Sequence, residues 1–278
     1  MTVNAPAKIN IALDITGKRP DGYHELLMIM HEIPLYDTVT VEKDSKISVS
    51  GNKPNIPYNE KNIAYKAAAE FFAYTKISGG AKIYLEKNIP DGAGLGGGSS
   101  DGAAVIKSLN KLYGACLSAE EMRDIAVKIG ADVPFFITGG TCIAQGIGEK
   151  LTPISPLAPC FILLVKPKFS ISTAEAYKKA DTAGTFPHVS VYDIAENISD
   201  IKYVGKNMFN VLELAADSAE IRELKDIMNA NGACGAMMTG SGSCVFGLFE
   251  TEEEAKKCAE KIKFFETSSS VPKDKFQT

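Results

Sequence analysis

The sequence lacks the features by which proteins commonly bind nucleic acid or cross a membrane. Its 30 lysines and arginines are outnumbered by 34 acidic residues, for a net charge of −4. Nucleic-acid binding relies on basic side chains that neutralise phosphates, so no nucleic-acid partner is expected. No apolar run is long enough to span a bilayer, so no membrane partner is expected. The N-terminal residues do not follow the pattern of a signal peptide, and we expect a cytoplasmic protein.

Patterns that bind structural metals are also missing. The chain has six cysteines, none in a C-x-x-C pair, and its histidines are His24, His31 and His188. These histidines have no metal-ligand spacing to cysteines or carboxylates, so a zinc site is not expected. The cysteines have apolar neighbours, which predicts buried, reduced thiols.

The pattern of apolar residues predicts two lobes of mixed helices and strands. Strands are predicted over residues 3–15 and 81–88 and a helix over 61–75. A capping box formed by Ser118 and Glu121 predicts another helix, and the polar segment 181–205 is predicted to be irregular. Strands joined by antiparallel turns, with helices between them, are typical of an α+β fold. The proline-rich "LTPISPLAP", residues 151–159, predicts a boundary between domains 1–150 and 151–278.

The segment "IPDGAGLGGGSSDGAA", residues 89–104, is unusually rich in glycine. Glycine loses the most conformational freedom on folding, so such a loop needs a compensating role. A common role is close approach of the backbone to a phosphate at the N-terminus of a helix. Ser99, Ser100 or Asp101 is placed to cap the helix that follows, which is predicted to run to about Tyr113. The loop has no lysine, so positive charge for a phosphate must come from elsewhere.

Other interpretations of this loop fit less well. Gly92, Gly94 and Gly97 satisfy G-x-G-x-x-G, but another helix follows where a dinucleotide fold needs a strand ending in an acidic residue. A Walker A loop would end in G-K-[ST], and this one ends in Gly98-Ser99. A flexible turn without a ligand remains open, but it does not account for the polar residues that start a helix directly after the glycines.

Several motifs in colinear order resemble those of the GHMP kinases. The glycine segment is similar to their phosphate loop, and "APAKINIAL" and "MTGSGSCVFGLF" resemble their first and third motifs. The pairing of "ITGKRPDGYHEL" with "GADVPFF" resembles the branch that acts on a cytidine diphosphate-linked alcohol. The resemblance covers nearly the whole chain and implies the two-lobed GHMP kinase fold, with a mixed or antiparallel N-terminal sheet and a ferredoxin-like C-terminal α/β sandwich.

The same resemblance implies an activity. It implies a small-molecule kinase that transfers a phosphoryl group from ATP, with Mg²⁺, to the 2-hydroxyl of a cytidine diphosphate-linked methylerythritol in the non-mevalonate isoprenoid pathway. A monomer or homodimer is expected. The open alternatives are a GHMP kinase for homoserine or mevalonate, a nucleotide-binding module without catalysis, and an NAD-binding oxidoreductase. Retention of Lys8 and Asp132 argues against the second, and the loop pattern against the third.

The resemblance assigns roles to individual residues. Lys8 and Asp132 are the implied catalytic pair, although a lysine in a strand is more often a snorkelling or ion-paired side chain and an aspartate before Val-Pro often caps a turn. Asn62 is implied near the adenine, although its position also suits an N-cap. The implied nucleotide-binding loop is Pro90, Asp91, Gly92, Ala93, Gly94, Leu95, Gly96, Gly97, Gly98, Ser99 and Ser100, with Ser99 or Ser100 near Mg²⁺.

Further residues are implied in binding the alcohol. Tyr23 and Tyr177 would sandwich the cytosine, and the backbone of His24 would bind the edge of the base. The remaining implied substrate contacts are Asn10, Thr173, Gly240 and Ser241. From the residues alone, the glycine turn at Gly240 also fits an ordinary hairpin. Asp101 departs from the family pattern, because some members have asparagine there.

Overall fold

The structure is a computed structural model that describes residues 1–182 and 188–262. Its strands are β1 (Thr2–Lys18), β2 (His24–Asp44), β3 (Ser48–Gly51), β4 (Gly80–Glu86), β5 (Thr141–Gly146), β6 (Lys150–Pro153), β7 (Phe161–Val165), β8 (Phe209–Asn210), β9 (Gly235–Met238) and β10 (Val245–Phe249). Its helices are α1 (Ile63–Thr75), α2 (Gly97–Tyr113), α3 (Ala119–Val127), α4 (Val133–Thr138), α5 (Thr173–Ala180), α6 (Val191–Glu196), α7 (Ile201–Asn207), α8 (Val211–Ala216), α9 (Ala219–Ala230) and α10 (Glu252–Ile262).

The larger sheet is built around the two long strands β1 and β2, which pair antiparallel along most of their length. The second half of β2 pairs with β4, and its first half pairs with β5, which in turn pairs with β6. Strand β3 adds to β4, and the short β8 runs parallel to β1 on the other side. The core is divided between the two faces of this sheet. One face packs on α1 to α4, and the other packs on α6, α7 and the smaller sheet.

The central part of β1 is buried on both faces, from Ala7 to Leu13. Ile9 and Ile11 belong to the core on the face that packs on α6, α7 and the smaller sheet. Because side chains alternate along a strand, Lys8 and Asn10 point to the opposite face. The register of β1 against β2 shifts between Asn10 and Ala12. Such a bulge bends the strand and redirects side chains, and bulges are frequent beside active sites.

Local signals explain the ends of several helices. The side chain of Asn62 accepts a hydrogen bond from the backbone of Ala64 at the start of α1. The predicted capping box of Ser118 and Glu121 is confirmed at the start of α3. The helix after the glycine loop differs from the prediction. It begins at Gly97, and its N-cap is Gly96 in the left-handed conformation without a side-chain cap, so Ser99, Ser100 and Asp101 do not cap it.

The smaller sheet has the order β7-β10-β9, with both pairings antiparallel. With α5 to α8 and β8 inserted after β7, the elements β7, α9, β9, β10 and α10 follow the first five elements of the ferredoxin-like β-α-β-β-α-β pattern, and the strand order fits that pattern. The α+β fold with two lobes is thus confirmed. The two parts of the chain share strands, because β6 crosses residue 150 and β8 joins the larger sheet. The division at residue 150 stays a prediction.

Two further expectations from the sequence are wrong. The segment predicted to be irregular, 181–205, contains α6 and most of α7, whose N-caps are Ser190 and Asp200; residues 183–187 lie outside the described residues. Both helices are short and largely polar on their outer side, so no helical pattern of apolar residues was recognised in the sequence. Not every thiol is buried: Cys116 is exposed and Cys234 is partly exposed. Across the described ranges 1–182 and 188–262, none of the helices combines the length and the apolar character needed to span a bilayer.

Candidate active site

A cleft of about 960 Å³ lies where the two lobes meet. Its volume is that of a site for a ligand the size of a cofactor or drug. It is lined by the middle of β1, the glycine loop, the start of α4, the first turns of α5 and the turn between β9 and β10. Most of the residues that the sequence implied as a site, distant from one another along the chain, therefore line one cleft.

The glycine loop approaches neighbouring backbone closely enough to require glycine. Gly92, Gly94 and Gly96 all have positive φ angles, of 59°, 76° and 72°. A Cβ on Gly94 would lie 2.1 Å from the carbonyl oxygen of Thr239, which no real contact allows. The loop ends at the start of α2, where free backbone N–H groups and the helix dipole favour an anion. The geometry fits a phosphate cradle better than a flexible turn.

The two serines after the loop have different surroundings. Ser99 lines the cleft, whereas Ser100 is 1% exposed and does not line it. Within residues 1–182 and 188–262, no cluster of three histidine, cysteine or acidic side chains could hold a metal ion. Mg²⁺ in nucleotide sites is commonly held by substrate phosphates, waters and very few protein groups. A phosphate cradle with one serine hydroxyl fits that mode, and Ser99 is the better placed of the two.

Lys8 is a buried ammonium group at the centre of the cleft. Its side chain is only 5% exposed, and Nζ donates to Oδ1 of Asn10 at 2.5 Å. The backbone N–H of Lys8 donates to the carbonyl oxygen of Leu95 at 3.0 Å, which ties β1 to the glycine loop. Burial lowers the pKa of Lys8, and the negative charge of Asp132 partly opposes this shift. Lys8 is therefore not a snorkelling surface lysine.

Asp132 faces Lys8 at the start of α4. Its Oδ2 lies 3.8 Å from Nζ of Lys8, an ion-pair distance too long for a hydrogen bond. Asp132 occupies the N-cap position of α4, but its side chain makes no capping hydrogen bond. The carboxylate is 35% exposed and lines the cleft. It is therefore available to a ligand, and the turn-capping interpretation does not describe it.

The turn between β9 and β10, which we call the glycine turn (residues 239–244), packs directly on the glycine loop. The backbone N–H of Cys244 donates to the carbonyl oxygen of Ala93 at 3.3 Å. A Cβ on Gly240 would lie 3.0 Å from the carbonyl oxygen of Gly94 and 3.3 Å from Nζ of Lys8. The buried Asn210 holds the turn by donating to the carbonyl oxygens of Met238 and Gly240, each at 2.8 Å. The turn is thus a supporting part of the loop and more than an ordinary hairpin.

One end of the cleft carries aromatic and charged residues. Tyr23 is 61% exposed, and the rings of His24 and Tyr177 are stacked with centroids 5.1 Å apart. His24 Nε2 lies 2.7 Å from Oδ1 of Asp181, whose Oδ2 lies 2.5 Å from Nζ of Lys18. Burial, followed by the charge of Asp132, raises the pKa of Tyr177. The sequence implied a role for the backbone of His24, and the structure adds its side chain, held by Asp181.

Two hydroxyl groups in the lining of the cleft face each other. Oγ1 of Thr173 lies 2.9 Å from Oγ of Ser241, so the start of α5 contacts the glycine turn. Both residues line the cleft, as does Asn10. Asn62, in contrast, does not line it. Both groups of its amide are already bonded, to the backbone of Ala64 and Pro57, which supports its role as an N-cap.

A buried group of three charges lies behind the loop. Nζ of Lys87 contacts Oδ2 of Asp37 and lies 2.6 Å from Oδ2 of Asp101. Oδ1 of Asp37 accepts hydrogen bonds from the backbone of Asn88 and Ile89, at 2.6 and 2.8 Å, where the loop begins. Burial raises the pKa of Asp101 to about 7. This group, which we call the loop triad (Asp37, Lys87, Asp101), was not found from the sequence, because pairing of distant charges leaves no local pattern.

Comparison with known proteins agrees with this geometry. The model of the "GHMP kinases N terminal domain" matches residues 62–140, and that of the "GHMP kinases C terminal" domain matches residues 193–266. The 4-diphosphocytidyl-2-C-methyl-D-erythritol kinase of Clostridium botulinum (strain Eklund 17B / Type B) is 45% identical, over 95% of this chain and 96% of its own length. The enzyme of the same name from Clostridium tetani is 43% identical, with the same coverage. The chain belongs to the 4-diphosphocytidyl-2-C-methyl-D-erythritol kinases, within the GHMP kinases.

Solved structures support this assignment at the level of fold. A crystal structure of 4-(cytidine 5'-diphospho)-2C-methyl-D-erythritol kinase is 36% identical, with a TM-score of 0.81 over 95% of this chain and 96% of that one. The Methanococcus jannaschii mevalonate kinase has a TM-score of 0.73 at 20% identity, over 96% of each chain. The likeness to the mevalonate enzyme shows the shared GHMP fold alone.

Proposed function

We propose that this kinase transfers the γ-phosphoryl group of ATP to the 2-hydroxyl of 4-diphosphocytidyl-2-C-methyl-D-erythritol. The observation that carries the proposal is the position of the Lys8–Asp132 pair, which lies in the cleft beside a glycine loop built to hold phosphates. Membership of the family supports the choice of alcohol. The expected cytoplasmic location and the monomer or homodimer state stay predictions.

In the proposed reaction, Asp132 orients the substrate hydroxyl toward the γ-phosphorus and accepts its proton. The hydroxyl oxygen forms the new bond to phosphorus, the bond to the bridging oxygen of ADP breaks, and ADP leaves with that electron pair. Lys8 faces Asp132 and offsets negative charge on the phosphoryl group as it transfers. Asn10 holds the ammonium of Lys8 in place. Most of the rate enhancement comes from alignment and electrostatics, because phosphoryl transfer asks little covalent chemistry of the protein.

The glycine loop and the N-terminus of α2 would hold the phosphates of ATP. Pro90 to Gly98 line the cleft with backbone, and Ser99 adds a hydroxyl. Bound Mg²⁺ would neutralise the phosphates, and Ser99 would hold it together with phosphate oxygens and water. Ser100 is proposed to support the helix turn from its buried position, and Asn62 to act indirectly through α1.

The aromatic end of the cleft is proposed to select the cytidine group. Tyr23 is exposed and free to cover one face of the base, and Tyr177 provides the other face. In the structure the ring of His24 lies on Tyr177. Binding of the base therefore requires a shift of either ring. Thr173, Gly240 and Ser241 line the middle of the cleft and are proposed to contact the diphosphate or the erythritol.

The test is ATP turnover by purified protein with Mg²⁺ and the cytidyl alcohol, beside homoserine and mevalonate. Turnover with the cytidyl alcohol alone, lost in Asp132→Ala, is the expected result. Turnover with another alcohol would keep the kinase and overturn the cytidine assignment. ATP binding without turnover on any alcohol would indicate a nucleotide-binding module. Mass spectrometry of the product identifies the hydroxyl that is phosphorylated.

A further inference from the structure

Lys166 is a buried ammonium group held by neutral hydrogen-bond acceptors. The residue is 8% exposed and follows the last residue of β7. Its Nζ donates to the carbonyl oxygens of Pro167 and Phe169, at 2.8 and 2.6 Å, and to Oγ of Ser170 at 3.4 Å. Across the described ranges of the chain, no carboxylate lies within ion-pair distance of this ammonium. Burial of a charge without a counter-charge is costly, so such a group calls for an explanation.

The surroundings of Lys166 place it directly beneath the glycine loop. Oγ of Ser170, one of its acceptors, lies 3.2 Å from the Cβ position on Gly92. The carbonyl oxygen of Phe169 accepts from Lys166 and also from Oγ of Ser243, at 2.6 Å, in the turn that supports the loop. Ser170 thus contacts both the ammonium and the loop, and neither Lys166 nor Ser170 lines the cleft.

The ammonium of Lys166 could supply the positive charge that the glycine loop lacks. The loop contains no lysine or arginine, and the charge of Lys8 is shared with Asp132. Of the other lysines that line the cleft, Lys18 is paired with Asp181, and Lys178 lies next to Tyr177 on α5. Lys166 is held by neutral acceptors, and among the described residues the charge of Glu220 acts on it only from beyond ion-pair distance. Interactions through a protein interior are screened less than those through water.

We propose that Lys166 is a positioning residue whose buried charge attracts the phosphates of ATP to the glycine loop. The proposal rests on the proposed function, because it requires ATP in that loop. The cost of burying the ammonium is offset when the anionic ligand binds, so the effect should increase with the charge of the ligand. The three acceptors also fix the segment 167–170 against the loop and the glycine turn.

The test compares dissociation constants for ATP, ADP, AMP and adenosine in wild type, Lys166→Met and Lys166→Arg. In Lys166→Met we expect ATP to bind on the order of 10-fold more weakly, ADP less affected, and adenosine unchanged. Lys166→Arg should retain most of the affinity, because it keeps the charge. Lys202→Met is the matched control: it makes the same change in net charge at an exposed ion pair with Glu250, and it should bind every ligand as wild type does.

The possible outcomes separate this inference from the proposed function. Equal weakening of ATP and adenosine would indicate a purely structural role and overturn the inference, as would unchanged ATP binding in Lys166→Met. Absence of ATP binding in wild type would overturn both proposals. If Lys166→Met does not fold, wild-type protein labelled with ¹³Cε-lysine provides the readout. The pKa of Lys166 should then rise when ATP binds but not when adenosine binds, and an unchanged pKa in ATP would overturn the inference.

Discussion

At the scale of single residues, the central feature is a lysine and an aspartate that face each other without a direct hydrogen bond. The gap of 3.8 Å between Nζ of Lys8 and Oδ2 of Asp132 leaves each group partly unsatisfied. Lys8 has Asn10 as its close partner, and Asp132 makes no capping bond with its own helix. Both groups line the cleft and therefore retain capacity to bind a phosphoryl group and an alcohol beside them.

Replacement of either residue should affect turnover more than ATP binding. We expect Asp132→Asn to lower kcat on the order of 10²-fold or more, because the amide cannot accept the proton or align the hydroxyl as well. The Kd of ATP should change only a few-fold. Steady-state kinetics and equilibrium binding measure the two quantities, and Asp226→Asn, an exposed site on α9, should leave both unchanged.

A double-mutant cycle tests whether the pair acts as a unit. Lys8→Met should also lower kcat strongly, and the double variant should lose little more than the worse single variant. Fully additive losses would show that Lys8 and Asp132 act independently, and would contradict the mechanism proposed for the pair.

At the scale of elements, the glycine loop is held from behind by the loop triad. Lys87 and its two aspartates are each 4% exposed or less. Asp37 belongs to β2 and Asp101 to α2, so the triad joins a strand, the start of the loop and the helix. The triad combines one ammonium with two carboxyl groups, so it brings no excess positive charge to the loop. Its contribution is to hold the backbone of the loop in position, and the positive charge near the phosphates is proposed to come from Lys8 and Lys166.

Loss of Lys87 should destabilise the fold. In Lys87→Met, Asp37 and Asp101 remain buried without their cation, and we expect a loss of about 3–5 kcal/mol in the free energy of unfolding. Urea denaturation measures it. Lys225→Met is the matched control, because its partner Glu213 is more exposed, at 17%, and about 1 kcal/mol is expected there. A loss of the same size in both variants would contradict a special role for the triad.

Contact between the glycine loop and the glycine turn predicts that a side chain at Gly94 destabilises the protein. Gly94→Ala forces a Cβ to 2.1 Å from the carbonyl oxygen of Thr239, in a backbone conformation with positive φ. Gly114→Ala has a similar φ, of 62°, with nothing within 4 Å of the new Cβ.

Gly114→Ala, the control, should lower the free energy of unfolding by about 1–2 kcal/mol through backbone strain alone. Gly94→Ala should lower the free energy of unfolding clearly more than the control does. It should also weaken ATP binding, because the loop must move to make room for the new Cβ. Denaturation and ATP titration of both variants decide the matter. Equal stability and unchanged ATP affinity in the two would show that the close approach of loop and turn is not required.

At the scale of the whole molecule, the site exists because two parts of the chain share one cleft. Lys8 and the glycine loop come from the first part, while Thr173, Tyr177 and the glycine turn come from the second. Strand β8 pairs with β1, and Asn210 at its end holds the turn. The fold therefore couples the position of the proposed alcohol site to the position of the proposed nucleotide site.

Stability of the whole molecule should fall in mild acid. Burial lowers the pKa of His31 from 6.5 to about 4. The unfolded chain then binds a proton that the folded chain does not, so this stabilisation is complete above pH 6.5 and is lost as pH falls toward 4. The loss at pH 5 is about 2 kcal/mol from this group.

The variant His31→Gln cannot take up that proton. Urea denaturation of both proteins at pH 7 and pH 5 should show wild type losing about 2 kcal/mol more than the variant over that interval. The difference between the two proteins removes the contribution of the carboxylates, which titrate in both. Equal losses would contradict a buried, neutral His31 in the folded state.

The sequence by itself determined the local parts of this protein. The strand predicted over residues 3–15 and the capping box of Ser118 depend on neighbours within a few residues, so they were predicted correctly. Motif resemblance gave the family, because several motifs in one order are specific. The short helices α6 and α7 were missed, since their burial depends on packing against the larger sheet and only weakly on local pattern.

Only the tertiary structure decided which distant groups meet. The loop triad, the contact of His24 with Asp181, the 3.8 Å gap between Lys8 and Asp132 and the isolation of Lys166 all join residues far apart in the chain or depend on what is absent around them. A charge looks the same in a sequence whether it is exposed, paired or buried alone. Its energy depends on the dielectric and the partners that folding brings to it, and these arise only when the two lobes pack together.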